Sequence, residues 1–273
     1  MLNFTTIRAV LFDMDGVLYR GQTPLPGVAD VFSFLAEHNI AFACITNNAS
    51  MTPQQYEAKL AKMGIELAAQ RVITSALATA RYLRDHYPPG TRIFVVGMQG
   101  LREALFSDGY FVEDEQSPEL VVQGADFTLT YERLKQATLH IRRGARFVST
   151  NPDRTFPSEE GLIPGAGAIA AALSAATDVT PLVIGKPAPT MFLIGAALLG
   201  ADPQQTLVIG DRLDTDIAGA NAAGMPSVLV LTGVSTLAEA STGSIRPDLV
   251  VADLPELLTR WQEPDSSLTS STR

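Results

Sequence analysis

The chain has 273 residues, 46% of them hydrophobic and 18% charged, a balance that excludes a disordered chain and is enough to bury a core. At roughly 150 residues per domain, this length predicts about two domains. Its 29 acidic and 20 basic residues give a formal net charge of −9. That charge argues against a nucleic-acid polymer as partner, because such binding needs a basic surface. The single cysteine, Cys44, excludes a disulfide within the chain and a cysteine-based zinc cluster.

The start of the chain and its apolar stretches bear on where the protein works. Met1–Phe12 is too short for a signal peptide and has no small-residue cleavage site. The longest apolar stretches, such as Met191–Ala201, fall well short of the ~20 residues that a membrane-spanning helix needs. We therefore expect a cytoplasmic protein that has no membrane partner.

Short apolar runs alternate with segments of helical periodicity along most of the chain. The runs are continuous rather than alternating with polar residues, which is typical of parallel strands covered on both faces. Strand, helix and strand repeated in this way predict an α/β fold with a parallel sheet. The predicted strands are Ala9–Phe12, Ala41–Ile45, Ile93–Val96, Leu120–Val122, Arg146–Val148, Leu182–Ile184, Leu207–Ile209, Ser227–Leu231 and Leu249–Val251.

Several of the helical segments carry recognisable start and stop residues. Thr52, Pro53 and Gln55 place a capping residue, a first-turn proline and a capping-box glutamine in order. Gly64 then ends that predicted helix. Further helices are predicted over Thr130–Gly144, Ala168–Ala176, Pro189–Gly200 and Thr215–Gly224.

Two features resemble functional sites but are better explained by structure. Gly165–Ala170 fits the GxGxxA pattern of a dinucleotide-binding turn, but Leu162–Pro164 before it is not predicted to be a strand, and no acidic residue ends a following strand. A tightly packed helix start is the better interpretation. His38, His86 and His140 are scattered and expected on polar helix faces or in turns, so no histidine-based metal site is predicted.

Two turn clusters, Tyr87–Gly90 and Thr180–Pro181, mark where a second unit would be inserted into the first. The chain end is polar and rich in serine and threonine, and it is expected to fray. The predicted division is a core formed by residues 1–80 and 184–262, an inserted domain formed by residues 81–183, and a polar tail formed by residues 263–273.

Polar residues follow four of the predicted strands, at the sheet edge where ligands bind in open parallel sheets. A sheet of this kind would bring carboxylates, a hydroxyl, amides and a lysine to one edge. These residues are Asp13 and Asp15 after Ala9–Phe12, Thr46, Asn47 and Asn48 after Ala41–Ile45, Lys186 after Leu182–Ile184, and Asp211, Asp214 and Asp216 after Leu207–Ile209.

This set of residue types suits phosphoryl transfer. Carboxylates from separate loops form a hard oxygen site for Mg²⁺, and clustered carboxylates need such a cation because they repel one another. A carboxylate can also attack phosphorus, while a lysine and a hydroxyl–amide loop stabilise charge on the transferring oxygens. Taken alone, each residue is more often a turn former, a helix cap or a solvated side chain, so the functional interpretation rests on their joint placement and order.

Four segments carry motifs of a known family: DMDGVLY at Asp13–Tyr19, TNN at Thr46–Asn48, GKP at Gly185–Pro187 and GDRLDTD at Gly210–Asp216. In order and spacing they resemble the four motifs of the haloacid dehalogenase-like (HAD) hydrolases, over nearly the whole chain. The resemblance implies a Rossmann-like core with an inserted α/β cap of the HAD-IIA type, found in NagD-type nucleotidases and 4-nitrophenylphosphatases. Stretches similar to that cap are Gly124–Asp126, Thr150–Asp153 and Pro164–Gly167.

The resemblance implies a role for each matched residue. Asp13 is implied as the nucleophile and a Mg²⁺ ligand. Asp15 is implied as the acid that protonates the leaving alcohol and the base that later activates water, with its backbone carbonyl on the metal. An acid two residues after the nucleophile fits a phosphatase or phosphomutase rather than a dehalogenase. The other implied roles are metal binding by Asp211, support of the metal without direct contact by Asp216, phosphoryl binding by Thr46, Asn47 and Lys186, and leaving-group contact by Asn151 and Asp153.

The prediction is therefore a Mg²⁺-dependent phosphatase that hydrolyses a small phosphorylated metabolite through an aspartyl-phosphate. A nucleoside monophosphate, a sugar, glycerol or aryl phosphate, phosphoglycolate and, less favoured, pyridoxal phosphate are all open as substrates. Two alternatives stay open: a phosphotransferase or mutase with the same intermediate, and a silent phosphometabolite-binding protein, against which the intact motif residues argue. The inserted cap also offers a surface for a homodimer.

Overall fold

The computed structural model describes residues 2–158 and 160–263. The predicted polar tail therefore lies, after Glu263, outside the described residues. In the part of the chain that is described, none of the helices has both the length and the apolar character that crossing a membrane requires.

Strands and helices alternate along most of the chain, and each of the nine predicted strands is present with its ends within one residue of the prediction. In chain order, the strands of the described residues are β1 (Ala9–Phe12), β2 (Tyr19–Arg20), β3 (Thr23–Pro24), β4 (Ala41–Thr46), β5 (Val72–Thr74), β6 (Arg92–Val96), β7 (Val112–Glu113), β8 (Leu120–Gln123), β9 (Arg146–Ser149), β10 (Thr155–Ser158), β11 (Gly161–Pro164), β12 (Leu182–Val183), β13 (Thr206–Gly210), β14 (Ser227–Val230) and β15 (Leu249–Val251). The α-helices are α1 (Val28–Glu37), α2 (Pro53–Lys62), α3 (Ser75–His86), α4 (Gln99–Phe106), α5 (Tyr131–Arg142), α6 (Ala166–Thr177), α7 (Pro189–Leu198), α8 (Ala218–Ala223), α9 (Leu237–Thr242) and α10 (Leu254–Gln262).

One sheet has β1 near its centre, in the strand order β15-β14-β13-β1-β4-β5. β1 pairs in parallel with β13 and with β4, so that Phe12 lies opposite Ile209 on one side and Cys44 on the other. Every residue of β1 and β13 is buried, as expected for continuous apolar strands inside a parallel sheet. The predicted α/β fold with a parallel central sheet is confirmed, and the residues after β1 and β13 leave this sheet at the same edge.

A second sheet has the order β12-β9-β8-β6-β7, and all of its strand pairs are parallel. Two antiparallel hairpins, β2–β3 and β10–β11, complete the strand pairing of the described residues. The expectation that Leu162–Pro164 is not a strand was wrong, because Ile163 pairs with Phe156 in the second hairpin. The pattern missed it because a hairpin needs no buried apolar run, and Leu162 is indeed 74% exposed.

The predicted start of α2 is confirmed in atomic detail. The Thr52 N–H donates to the Gln55 side-chain oxygen at 2.8 Å, and the Gln55 N–H donates to the Thr52 hydroxyl oxygen at 3.2 Å. This is the reciprocal capping box that the sequence indicates. The segment predicted as a helix over Thr215–Gly224 is only partly α-helical, because a π turn, Leu213–Ile217, precedes α8.

The glycine pattern at the start of α6 serves packing, as predicted. A Cβ on Gly167 would lie 2.1 Å from the Pro152 carbonyl oxygen, and a Cβ on Gly165 would lie 2.4 Å from the Asp153 carbonyl oxygen. Only glycine permits so close a backbone approach. The helix start therefore lies directly against the segment that contains Asp153.

The contacts within the chain group it into two compact units. The first consists of the described residues of Met1–Cys44, Ala61–Glu66 and Ala196–Arg273, and the second of the described residues of Ile45–Leu60 and Leu67–Gly195. In the second unit, one apolar cluster packs side chains of β6, β8, β9, α5 and α6 together. The predicted boundaries of the core and of the inserted domain, at residues 81 and 183, stay a prediction.

His140 is buried, whereas the sequence places it on a polar helix face. Only 5% of it is exposed, its ring packs on Phe94 with the ring centroids 4.9 Å apart, and its Nε2 lies 3.2 Å from the Glu115 carbonyl oxygen. Burial lowers the pKa of His140 because the charged imidazolium loses its contact with water. The positive charge of Arg143 lowers this pKa further, while the hydrogen bond to the Glu115 carbonyl raises it, and the net pKa is lowered. The prediction failed because α5 packs the face that carries His140 against Phe94 of β6.

We expect the lowered pKa of His140 to make the protein less stable in mild acid. The unfolded chain takes up a proton near pH 6.5 and the folded chain only at lower pH, so stability is full above about pH 6.5 and falls as the pH drops through this window. Urea unfolding of wild type and His140→Gln between pH 7 and pH 5 tests this. The variant should lose less stability than wild type, while His86→Gln, at an exposed position, should follow wild type. Parallel curves for all three proteins would contradict the expectation.

Candidate active site

The turn after β1 presents two aspartates of different exposure. The Asp13 N–H donates to the Ile209 carbonyl at 2.8 Å, which continues the β1–β13 ladder by one residue and fixes where Asp13 leaves the sheet. Gly16 then turns the chain with φ +83°, and its N–H donates to the Tyr19 carbonyl at 2.8 Å. In this turn Asp13 is half-buried and Asp15 is exposed.

Asp211 follows β13 and is held by the backbone of a third segment, which follows β14. Only 1% of Asp211 is exposed. Its carboxylate Oδ2 accepts the Val234 N–H at 2.7 Å, and its carbonyl accepts the Ser235 N–H at 3.0 Å. Hydrogen bonds from backbone N–H groups favour the charged form of a carboxylate. The segment after β14 therefore fixes and stabilises this buried anion.

Two glycines make room for the Asp211 carboxylate. A Cβ on Gly233 would lie 1.9 Å from Asp211 Oδ2, and a Cβ on Gly16 would lie 2.6 Å from the same atom. Neither distance leaves room for a side chain on Gly233 or Gly16. The backbone of both glycine-containing segments therefore lies directly against the Asp211 carboxylate. The Thr232 hydroxyl ties those segments together by donating to the Gly16 carbonyl at 2.6 Å.

Asp216 is fully buried in the π turn that begins after Arg212. Its Oδ2 accepts the Arg212 N–H at 3.1 Å, and the Arg212 carbonyl accepts the N–H groups of both Asp216 and Ile217 at 3.0 and 3.2 Å. A Cβ on Gly210 would lie 2.2 Å from the Asp216 Cβ. The wide turn therefore brings this carboxylate back against the end of β13, a use of π turns that is frequent at functional sites.

Three of the predicted carboxylates converge. One oxygen each from Asp13, Asp211 and Asp216 lies within 4.8 Å of the others, and these residues make up the cluster that the described chain offers to a metal ion. At this separation, each pair of charges repels by roughly 3.5 kcal/mol at an effective dielectric constant of about 20. A hydrogen bond to a charged group offsets about 1.5–3 kcal/mol. A hard divalent cation that accepts oxygen ligands fits this donor set in both charge and chemistry.

The remaining aspartates of these segments lie outside that cluster. Asp214 makes an ion pair with Arg212, with contacts of 3.1 and 2.9 Å, and its side chain is 68% exposed. Asp15 stands two residues after Asp13 and is exposed, whereas Asp13 is half-buried.

In the second unit, hydrogen bonds connect four of the predicted site residues in one network, namely Asn47, Lys186, Asn151 and Asp153. Lys186 is buried, and its backbone N–H and carbonyl bind the carboxamide of Asn47 at 2.8 and 2.9 Å. The same carboxamide donates to Asp153 Oδ1 at 3.2 Å. Asn151 is also buried, and its Oδ1 accepts the Asp153 N–H at 3.1 Å. Thr46 is half-buried and its hydroxyl oxygen accepts the Asn48 N–H at 3.2 Å.

Sequence reasoning missed several residues of both groups. Ser75 is fully buried and donates its hydroxyl to the Asn47 carbonyl at 2.5 Å, yet nothing in its local sequence distinguishes it. Thr232 and Gly233 could have been found, because they follow β14 as the other site residues follow their strands. The predicted run ended at Leu231, and the residues beyond it carry no charge that would draw attention.

Comparison with known proteins gives the same family at several levels. Residues 10–111 match the family described as haloacid dehalogenase-like hydrolase, and residues 183–257 match one described as HAD-hydrolase-like. The chain is 38% identical to the acid sugar phosphatase of Staphylococcus aureus over 256 residues, which cover 94% of this chain and 98% of that protein. The chain belongs to the haloacid dehalogenase-like hydrolases. The resemblance seen in its motifs is thereby confirmed.

Two solved structures of these hydrolases show how far the similarity extends. The 4-nitrophenylphosphatase of Thermotoga maritima matches with a TM-score of 0.89 and 37% identity, over 95% of this chain and 99% of that one. The glycerol phosphate phosphatase of Mycobacterium tuberculosis in complex with magnesium matches with a TM-score of 0.86 and 36% identity, over 93% and 78%. The chain is thus a HAD hydrolase of the HAD-IIA subgroup and a phosphoric monoester hydrolase.

We expect Gly233→Ala to impair cation binding by this HAD hydrolase. The new Cβ would displace the Asp211 carboxylate, and disturbing the groups that orient a metal ligand lowers metal affinity or activity by roughly 10- to 100-fold. The Mg²⁺ concentration that gives half-maximal activity should rise accordingly. Gly200→Ala is the control for the added methyl group, because nothing lies near the Cβ position of Gly200, although its φ of +68° carries a strain that Gly233 lacks. If both variants need the same Mg²⁺ concentration as wild type, the role given to Gly233 is wrong.

Proposed function

We propose that this chain hydrolyses small phosphomonoesters with the aid of Mg²⁺, through an aspartyl-phosphate on Asp13. The observation that carries the proposal is the convergence of Asp13, Asp211 and Asp216, with the exposed acid Asp15 two residues after the first of them. This arrangement provides a nucleophile, a cation site and a separate proton donor in one unit. The intact set of residues favours catalysis over a silent binding protein.

The cation site would be formed by Asp13, Asp211 and Asp216, with the Asp15 carbonyl as a further proposed ligand. A bound Mg²⁺ would neutralise these carboxylates and withdraw charge from the phosphoryl oxygens. The relative from Mycobacterium tuberculosis was solved with magnesium, which supports this choice of ion. Asp13 and Asp211 are proposed to contact the ion directly, and Asp216 to support the site without direct contact.

In the first half-reaction, a carboxylate oxygen of Asp13 attacks phosphorus while the bond from phosphorus to the ester oxygen breaks. Asp15, in its protonated form, gives its proton to that departing oxygen, so the product leaves as a neutral alcohol. The phosphoryl group is then bound to Asp13 as an acyl phosphate. The exposed position of Asp15 allows it to reach a leaving group that extends away from the buried carboxylates.

In the second half-reaction, Asp15 acts in reverse. Its carboxylate takes a proton from a water molecule whose oxygen attacks phosphorus, and the bond from phosphorus to Asp13 breaks. Inorganic phosphate leaves, Asp13 returns as a carboxylate and Asp15 is again protonated. One residue can serve both steps because the proton that it loses in the first is regained in the second.

We further propose that Thr46 and Lys186 bind the phosphoryl group with the support of Asn47, and that Asn151 and Asp153 serve leaving-group recognition. Asp153 is half-buried and lies against the start of α6, so it is firmly held yet accessible. The substrate class is a small phosphomonoester, with sugar, glycerol and aryl phosphates favoured by the names of the relatives and a nucleoside monophosphate also open. A homodimer formed through the inserted domain is a further proposal.

The central prediction concerns Asp13. Asp13→Asn should lower phosphate release from 4-nitrophenyl phosphate by roughly a thousand-fold or more, since the amide is a poor nucleophile. Release by wild type should also require Mg²⁺ and stop when a chelator is added. Asp178→Asn is the matched control: it makes the same change at an exposed left-handed position that asparagine tolerates, and it should keep full activity. Activity in Asp13→Asn would rule out the proposed nucleophile.

Asp153→Ala should change substrate ranking more than reaction rate. We expect kcat/KM for a sugar phosphate or glycerol phosphate to fall about ten-fold relative to that for 4-nitrophenyl phosphate, a loss of roughly 1.4 kcal/mol of selective binding. Glu132→Ala, which removes an exposed acidic side chain of α5 in the same unit, should leave the ranking unchanged. Equal losses on all substrates in Asp153→Ala would exclude a role in leaving-group recognition.

A further inference from the structure

One carboxamide binds both backbone groups of Lys186. The Lys186 N–H donates to Asn47 Oδ1 at 2.8 Å, and Asn47 Nδ2 donates to the Lys186 carbonyl at 2.9 Å. The two residues are 139 positions apart in sequence, so these bonds join two distant segments of the second unit. Asn47 and Lys186 are both buried, which makes each bond costly to lose because water cannot replace it.

The donors of this carboxamide are fully used. A primary amide has two N–H donors, and those of Asn47 serve the Lys186 carbonyl and Asp153 Oδ1, the latter at 3.2 Å. A phosphoryl group presents acceptor oxygens and therefore needs donors. The Asn47 side chain can offer it a donor only by giving up one of these two bonds.

A second set of bonds holds Asn47 from the backbone side. Its carbonyl accepts the Ser75 hydroxyl at 2.5 Å and the Asn151 side-chain amide at 2.6 Å. Ser75 and Asn151 are both buried. Gly185, just before Lys186, is packed equally closely, because a Cβ there would lie 2.6 Å from Asn47 Oδ1. Asn47 is thus fixed on both sides and has no room to turn.

We propose that Asn47 is a positioning residue whose carboxamide fixes the backbone of Lys186, and that Ser75 positions Lys186 through Asn47. The inference rests on the proposed function in one respect, that Lys186 binds the phosphoryl group. Asn47 then contributes to phosphate affinity only through the lysine and does not bind the phosphoryl group with its own side chain. Ser75 lies in none of the motifs, and it contributes to phosphate binding by holding Asn47, which in turn holds Lys186.

The decisive experiment is a double-mutant cycle with inorganic phosphate as probe, read by titration calorimetry in the presence of Mg²⁺. We expect Asn47→Ala to weaken phosphate binding roughly ten-fold, as loss of two buried hydrogen bonds implies. Lys186→Met should weaken it more. The double variant should bind no more weakly than Lys186→Met alone, because the carboxamide has no effect once the ammonium group is absent.

Additive losses in the cycle would overturn the inference, since they would show Asn47 binding phosphate on its own account. The kinetic readout must agree: Asn47→Ala should raise KM for 4-nitrophenyl phosphate while the Asp15-dependent arm of the pH profile stays in place. Phosphate binding by a wild type that hydrolyses no ester would refute the proposed function and leave the cycle still decisive. Wild type that binds no phosphate would overturn the inference itself.

Ser75→Ala gives a second route that does not alter Asn47. It should weaken phosphate binding by roughly five-fold in the wild-type background and not at all in the Lys186→Met background. Ser227→Ala is the matched control, because Ser227 is equally buried and its hydroxyl makes no hydrogen bond within the described residues. An equal effect of Ser75→Ala in both backgrounds would contradict the positioning role, and thermal unfolding of each variant identifies any that fail to fold.

Discussion

Repulsion among three carboxylates within 4.8 Å of one another is the constraint on which the first unit depends. Two of these groups are buried, where charge is hardest to hold. Backbone groups rather than side chains stabilise these charges. The Val234 N–H donates to Asp211 and the Arg212 N–H donates to Asp216, while nearby glycines leave room for the carboxylates. The result is a cluster of carboxylates held in place by backbone groups, whose oxygen donors fit a hard divalent cation.

The second unit solves the opposite problem, which is to hold a cation in a buried position. Lys186 is 3% exposed, and neutral amides rather than extra charges bind its backbone. Neutral donors and acceptors order a segment without changing its net charge. Asn47, Asn151 and Ser75 therefore fix the geometry of the segment around Lys186 without adding charge to it.

Much of the fold could be predicted because long apolar runs and strong caps are local features. β1, β4 and β13 were recognisable from continuous apolar residues, and the capping box at Thr52 from its spacing. β7 could not be found, since both of its residues are exposed and form no apolar run, and β5 offers only two apolar residues before Thr74. The aspartates were visible because charge after a strand is conspicuous. The directions of the Asn47 amide and of His140 were not, because tertiary packing decides them.

Asp211 is supported by a main-chain donor, so this hydrogen bond does not depend on which side chain stands at position 234. The N–H at position 234 is present in any residue except proline, while the Val234 side chain is 69% exposed. Side chains at this position can therefore be exchanged, in nature or in the laboratory, without removing the donor that steadies the carboxylate. The protein surface at position 234 can therefore change while the hydrogen bond to the buried Asp211 carboxylate is kept.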